Sequence, residues 1–257
     1  MYKNTIRWII LIFTFMNAHI VFADHVPWNH PDRKQSFALQ QDLRLFIKVD
    51  PAVKLLFEFQ MKESLSTSGT ANHTSGNQKL PEILAFRVGG IFRLHQNFKL
   101  GAFYQFHELR NNHTGNLNLE NIFMLDFIPR VKLGSSVVAE LRVRNEFNHF
   151  SGSDQPRLDG NLWYAVKLRP KLTYYIKDSD GLDVVAAPFI AYEIYLPITY
   201  DIHNLEHWIY AGLIIPNFFL KELSVIPNYA IRFTGNGGGN HTAGMTHIFG
   251  IGLNFNF

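Results

Sequence analysis

The sequence predicts an all-β chain: an antiparallel, up-and-down transmembrane β-barrel of about twelve strands. Three observations predict it. Apolar and polar residues alternate with period two through most of the 257 residues, and successive side chains of a strand point to opposite faces. The alternating segments run to roughly 10–13 residues, where ordinary strands have about 5–6. Short and long connections follow one another in turn, which sorts turns to one end and loops to the other.

Composition agrees. Apolar residues make up 47% and charged residues 18%, below the roughly 25% charge of a typical water-facing chain. Aromatics reach 14%, with 23 phenylalanines. Mean hydropathy is −0.04, which excludes a bundle of membrane helices. The chain has no cysteine, so thiolate metal sites and cysteine nucleophiles are excluded. Removing Lys3 and Arg7 brings the 24 basic residues close to the 21 acidic ones. No basic run occurs, so nucleic acid is not an expected partner.

The one long apolar run opens the chain. Lys3 and Arg7 precede the stretch from Trp8 to Phe15, and Val21-Phe22-Ala23 has the form of a cleavage site. These are the parts of a secretory signal peptide. The run falls short of the ~20 residues of a spanning helix, and Asn17 and His19 interrupt it. The expected organisation is a signal peptide over 1–23, a periplasmic or luminal segment over 24–36 and the barrel over 37–257.

Each strand has one apolar and one charged parity. Over 37–47, Phe37, Leu39, Leu43, Leu45 and Ile47 oppose Ala38, Gln40, Asp42 and Arg44, with Gln41 and Phe46 as exceptions. After Asp50-Pro51, Val53, Leu55, Phe57, Phe59 and Met61 oppose Lys54, Glu58, Gln60 and Lys62. Over 82–94, Leu84, Phe86, Val88 and Phe92 oppose Arg87 and Arg93. Over 98–108, Leu100, Ala102, Tyr104 and Phe106 oppose Lys99, Gln105 and His107. Over 117–128, Leu119, Phe123, Leu125 and Phe127 oppose Glu120 and Asp126. Over 136–148, Val137, Ala139, Leu141, Val143 and Phe147 oppose Glu140, Arg142, Arg144 and Glu146. Over 161–177, Leu162, Tyr164, Val166, Leu168 and Leu172 oppose Lys167, Arg169 and Lys171. Weaker strands follow at 184–198, which carries Glu193, at 206–216, and at 222–233, which carries Arg232. The last strand, 245–257, sets Phe249, Ile251, Leu253, Phe255 and Phe257 against glycine and asparagine.

These segments number eleven, whereas bacterial single-chain barrels have an even number of strands. Either a further strand escapes the alternation, or residues 24–36 make up the difference, and the second is the expectation. Twelve extended residues reach about 40 Å, enough to rise through a core ~25 Å tall. Pro27 and Pro31 suit a luminal segment or an irregular edge strand better than a central one.

A terminal amphipathic strand ending in phenylalanine resembles the signal by which the barrel assembly machinery of the Gram-negative outer membrane recognises its clients. Phe249, Ile251, Leu253, Phe255 and Phe257 would form it. The chain also resembles an uncharacterised family of Gram-negative outer-membrane β-barrel proteins of roughly this size. The resemblance lies in an Arg-rich central hairpin, "AELRVRNEF" and "YAVKLRPKLTYY", followed by "APFIAYEIYLP". It implies outer-membrane location and outer-membrane lipid as surroundings, and brings no known activity.

The charged parity is the candidate site. Arg44, Lys54, Glu58, Arg87, Arg93, Glu120, Asp126, Glu140, Arg142, Arg144, Glu146, Lys167, Arg169, Lys171, Glu193 and Arg232 are expected to line the interior. Charge in a narrow barrel is costly unless paired or wet, so two outcomes are open. The residues form a salt-bridge lattice that fills and stiffens the barrel, or an excess of Arg and Lys lines a narrow passage that favours anions. A structural or narrow solute-passage role is the resulting expectation. The alternative is a barrel enzyme acting on outer-leaflet lipids or lipopolysaccharide. No HExxH or GxSxG motif supports it, and the strand hydroxyls are few, with Ser136, Thr173 and Ser224. His73, His113, His149 and His241 fall in the long connections, His25 and His30 near the start. They are read as ordinary polar loop residues, with no metal or cofactor expected. "TGNGGGNHTAG" at 234–244 lacks the Lys-Ser/Thr of a phosphate loop.

Overall fold

A computed structural model of the chain describes residues 34–67, 83–110, 117–151, 162–199, 205–234 and 244–257. The signal-peptide segment, Pro27, Pro31, most of the long connections, and His25, His30, His73, His113 and His241 lie outside the described residues.

The strands are β1 (Lys34–Asp50), β2 (Val53–Thr67), β3 (Ile83–His95), β4 (Phe98–Arg110), β5 (Leu117–Leu133), β6 (Val137–Ser151), β7 (Leu162–Tyr174), β8 (Ile176–Lys177), β9 (Val184–Pro197), β10 (Glu206–Ile214), β11 (Leu223–Thr234) and β12 (Gly244–Asn256). Neighbours in sequence pair antiparallel from β1 through β7, then β7 with β9, β9 with β10, and on to β12. The short β8 pairs with the start of β9 and takes no place in the wall. β12 returns to β1, so eleven strands close a barrel and β8 is the twelfth.

The odd count is resolved at the seam. With eleven alternating strands the first and last run in the same direction, and β1 pairs with β12 in parallel, from Lys34 opposite Gly244 to Phe46 opposite Asn256. Phe257 extends the seam: its N–H donates to the Phe46 carbonyl at 2.9 Å, and its carbonyl accepts from the Lys48 N–H at 2.7 Å. A slip of one residue would turn the whole of β12 over. The register instead keeps Phe249, Ile251, Leu253 and Phe255 on the same face as Leu39, Gln41, Leu43 and Leu45.

The short connections have local causes. Asp50 accepts the Ala52 N–H at 2.8 Å across the Pro51-Ala52 turn. Gly134 supplies a φ of 75° between β5 and β6, a value that side chains resist. Asp178 accepts from the Leu182 N–H at 2.9 Å in the turn before β9.

Burial is inverted relative to an ordinary water-soluble sheet. Charged Glu58 and Asp126 are 3% exposed and Asn148 is 0%, whereas Phe86 and Phe123 are 47% and Phe249 49% exposed. In β5 the alternation is complete from Leu117 to Phe127: Asn118, Glu120, Ile122, Met124 and Asp126 are buried while Phe123 and Phe127 stand out. Exposed apolar side chains recur around the wall, from Leu55 and Phe86 through Phe127, Leu141 and Leu172 to Ile190, Ile209 and Phe249. Polar outward groups meet a neighbouring tyrosine. Tyr104 and Tyr164 donate to the amide oxygens of Asn121 and Asn145, each at 2.5 Å. Tyr192 and Tyr229 bond the ring nitrogens of His207 and His247 at 2.6 and 2.5 Å.

Candidate functional site

The inward parity encloses a cavity of about 650 Å³. Its side chains are ordered by strand register. Arg44, Glu58, Arg87 and Gln105 are successive partners across β1–β4, and one chain of hydrogen bonds follows them. Arg44 Nε donates to Glu58 Oε1 at 2.8 Å, Arg87 Nη1 to Glu58 Oε2 at 2.7 Å, and Arg87 Nε to Gln105 Oε1 at 2.7 Å. Asp42 adds a second acceptor for Arg44 at 3.0 Å and takes a hydrogen bond from Gln60 at 2.8 Å. Both oxygens of a nearly buried Glu58 are thereby used, as a buried carboxylate requires.

A second group spans β5, β6 and β7. Arg144 grips Asp126 with Nε and Nη2 at 2.6 and 2.8 Å, the planar two-point geometry that makes arginine–carboxylate pairs strong. Glu146 holds Lys167 Nζ at 3.0 Å, and Lys167 also lies 5.1 Å from the Tyr195 ring centre. Glu120 meets His107 Nδ1 at 3.1 Å. On β10 and β11, Glu206 pairs with Arg232, whose guanidinium lies 5.4 Å from the Trp208 ring centre.

A third group differs. Arg142 on β6 is the direct partner of Arg169 on β7, and Lys171 shares their inward face two residues on. Glu193 accepts Arg142 Nη2 at 2.6 Å and lies 3.8 Å from Arg169 Nε. Tyr210 also approaches Glu193, at 3.4 Å. One carboxylate therefore serves two guanidiniums, as Glu58 does for Arg44 and Arg87, but among the described residues no second carboxylate joins it as Asp42 does there. Arg142 Nε is buried with no hydrogen-bond partner. Lys171 stands 4.5 Å from the Phe189 ring centre, while its cross-strand partner Glu140 turns to Lys99 and Arg130 at 3.6 and 3.9 Å. Pro129 and Pro170 lack the N–H a ladder needs. The β5–β6 pairing is interrupted between Phe127 and Arg130, and the β7–β9 pairing between Leu168 and Lys171.

Of the predicted interior residues, thirteen line the cavity: Arg44, Glu58, Arg87, Glu120, Asp126, Arg142, Arg144, Glu146, Lys167, Arg169, Lys171, Glu193 and Arg232. Lys54, Arg93 and Glu140 keep the inward parity near the short-turn end, outside the cavity lining. Phe249, Ile251, Leu253, Phe255 and Phe257 alternate with glycine and asparagine on β12 as expected, and Phe257 is 64% exposed. His149 lies in β6 and not in a loop.

Sequence reasoning missed the apolar part of the interior. Leu56, Phe103, Ile122 and Met124 form a buried cluster with Phe46 and Ile91 against it. Ala38, which the sequence places on the inner parity, forms another with the missed Ala230 and Ile248, and Trp208 and Tyr210 pack on it. Their parity is that of the inner face, with Phe46 the exception visible in β1, but polarity alone does not mark them as inward. Glu206 was missed as well, although it shares parity with Trp208. Among the described residues no cluster of three or more His, Asp or Glu side chains is arranged to hold a metal.

No family model matches the chain. A comparison with curated proteins likewise finds no match.

Proposed function

We propose that this protein is an outer-membrane β-barrel of a Gram-negative bacterium whose interior gives narrow passage to small solutes or ions. The observation that carries the reading is the inverted burial: large apolar side chains exposed around the wall and charged ones enclosed by it. In water such a continuous apolar surface would drive aggregation. Against lipid it is the stable arrangement, and closure leaves no unpaired strand edge in the hydrocarbon. The resemblance of the Arg-rich hairpin to an uncharacterised outer-membrane family supports the same location, with export through a cleaved signal peptide and insertion by the barrel assembly machinery.

The ion-pair lattice across β1–β7 stiffens the barrel and narrows its interior. Among the described residues the cavity is lined by nine Lys and Arg side chains and seven carboxylates. A surplus of cations in a confined, poorly screened space favours anions. Fractionation tests location: the protein should stay with outer membranes after alkaline washing and show heat-modifiable gel mobility. Planar-bilayer recording in a salt gradient tests passage. A reversal potential on the anion side that weakens in Arg169→Glu supports it; absence of conductance would leave a purely structural barrel.

A further inference from the structure

We infer that Arg142, Arg169 and Lys171 form a binding site for a phosphate group inside the barrel. The inference deepens the passage reading by naming a solute class, and it also stands if the barrel conducts nothing.

Like charges directly opposite each other on one sheet face repel, so the Arg142–Arg169 pair needs compensation. Elsewhere in the interior the lattice supplies it. Arg44 has two carboxylates, Arg144 has Asp126 and Glu146 within reach, Lys167 has Glu146 and Arg232 has Glu206. At this place, among the described residues, Arg142 and Arg169 share a single carboxylate, Glu193, and Lys171 makes no ion pair, its cross-strand neighbour Glu140 being drawn to Lys99 and Arg130. The local surplus is two positive charges, equal to the excess of Lys and Arg over Asp and Glu among the described residues that line the cavity.

The donors that remain are suited to an oxyanion. Arg142 Nε is buried and unpartnered. Arg169 approaches Glu193 only at 3.8 Å, and its side chain keeps 31% exposure towards the interior. Lys171 is held against the Phe189 ring without a carboxylate. The guanidiniums of Arg142 and Arg169 and the Lys171 ammonium, on neighbouring inward positions of β6 and β7, supply planar and single-point donors, the combination that recognises phosphate. A phosphate dianion also matches the surplus of two. Tyr210, beside both Arg169 and Glu193, closes the flank with a ring. A monocarboxylate would leave one cation uncompensated. The phosphate arrives either as the free ion or as the exposed group of a small phosphomonoester.

The test is equilibrium dialysis of the folded, detergent-solubilised full-length barrel against radiolabelled inorganic phosphate, with glycerol phosphate and chloride as competitors. Saturable binding of one phosphate per chain is expected, displaced by glycerol phosphate far better than by equimolar chloride. Arg169→Gln and Lys171→Gln should each weaken it at least tenfold while heat-modifiable mobility stays that of the folded barrel. Lys62→Gln, which alters a cavity cation outside the group, should leave it within about twofold. Displacement by glycerol phosphate identifies a site for phosphomonoesters, and its failure alongside tight phosphate binding identifies a site for the free ion; both support the proposal. No saturable binding at millimolar phosphate overturns it, as does binding unchanged in both variants or lost equally in Lys62→Gln. Because dialysis is independent of conductance, a silent bilayer recording would remove the passage and leave the site.

Discussion

The guanidinium of Arg144 closes two hydrogen bonds on the Asp126 carboxylate, at 2.6 and 2.8 Å, and both side chains are almost wholly buried. Removing one partner strands the other. Arg144→Leu should cost roughly 3–5 kcal/mol in barrel stability. Arg144→Leu with Asp126→Leu should recover much of that loss, since no lone charge then remains at the pair. Urea unfolding followed by gel mobility gives both values. Additive losses in the double variant would show that the pair is not coupled.

Leu141 and Arg142 are adjacent and face opposite ways, Leu141 out and Arg142 into the cavity. In lipid, Leu141→Arg should destabilise by about 2–4 kcal/mol if the position lies near the bilayer midplane. In a micelle that lets the charge reach water the same change should cost much less. Arg142→Leu should show no such dependence on lipid, because its partner is Glu193 inside the wall. Equal responses of the two variants to the change of lipid would overturn the face assignment.

The parallel seam makes a geometric prediction in a chain without cysteine. Leu43 and Leu253 are partners across β1 and β12. Leu43→Cys with Leu253→Cys should cross-link under an oxidant or a short bis-thiol reagent, since a disulfide spans Cα separations of about 4.4–6.8 Å. Leu43→Cys with Phe249→Cys should not, being four residues out of register. Cross-linking of the second pair in place of the first would mean that another strand or register closes the barrel.

Gly89 is needed by close approach. A Cβ there would run into the Ala102 carbonyl oxygen and the Phe103 ring. The carbonyl is part of the β3–β4 ladder and has nowhere to go. Gly89→Ala should therefore destabilise by about 1–3 kcal/mol, whereas Gly90→Ala, which presses on the outer atoms of the Phe92 ring and meets the Lys54 carbonyl oxygen at ordinary contact distance, should cost less. Thermal scans of mobility-shifted barrel compare the two.

The strand positions were legible because alternation is a local property. Phe57 and Glu58, or Phe127 and Asp126, differ in polarity and are one residue apart, so their faces follow from chain geometry alone. Phe103 and Ile122 were not legible as interior residues, because an apolar side chain on the inner parity looks like an error until its neighbours are known. Phe103 is inside because Gly89 and Gly101 leave room for its ring, a fact spread over two strands. Interior ion pairs were legible as a set but not as partners. Arg142 takes Glu193, 51 residues away, and its nearer candidate Glu140 turns to Lys99 and Arg130.

By itself the sequence determined the strand period, the two faces and eleven alternating segments, because each depends on residues within one strand's reach, although about twelve wall strands were expected from them. Only the tertiary structure decided how the ring closes and where the surplus charge collects. Closure depends on the direction of the first and last strands, which an odd count makes parallel. Charge balance depends on register between strands, which brings Arg142 opposite Arg169 and leaves both to a single carboxylate.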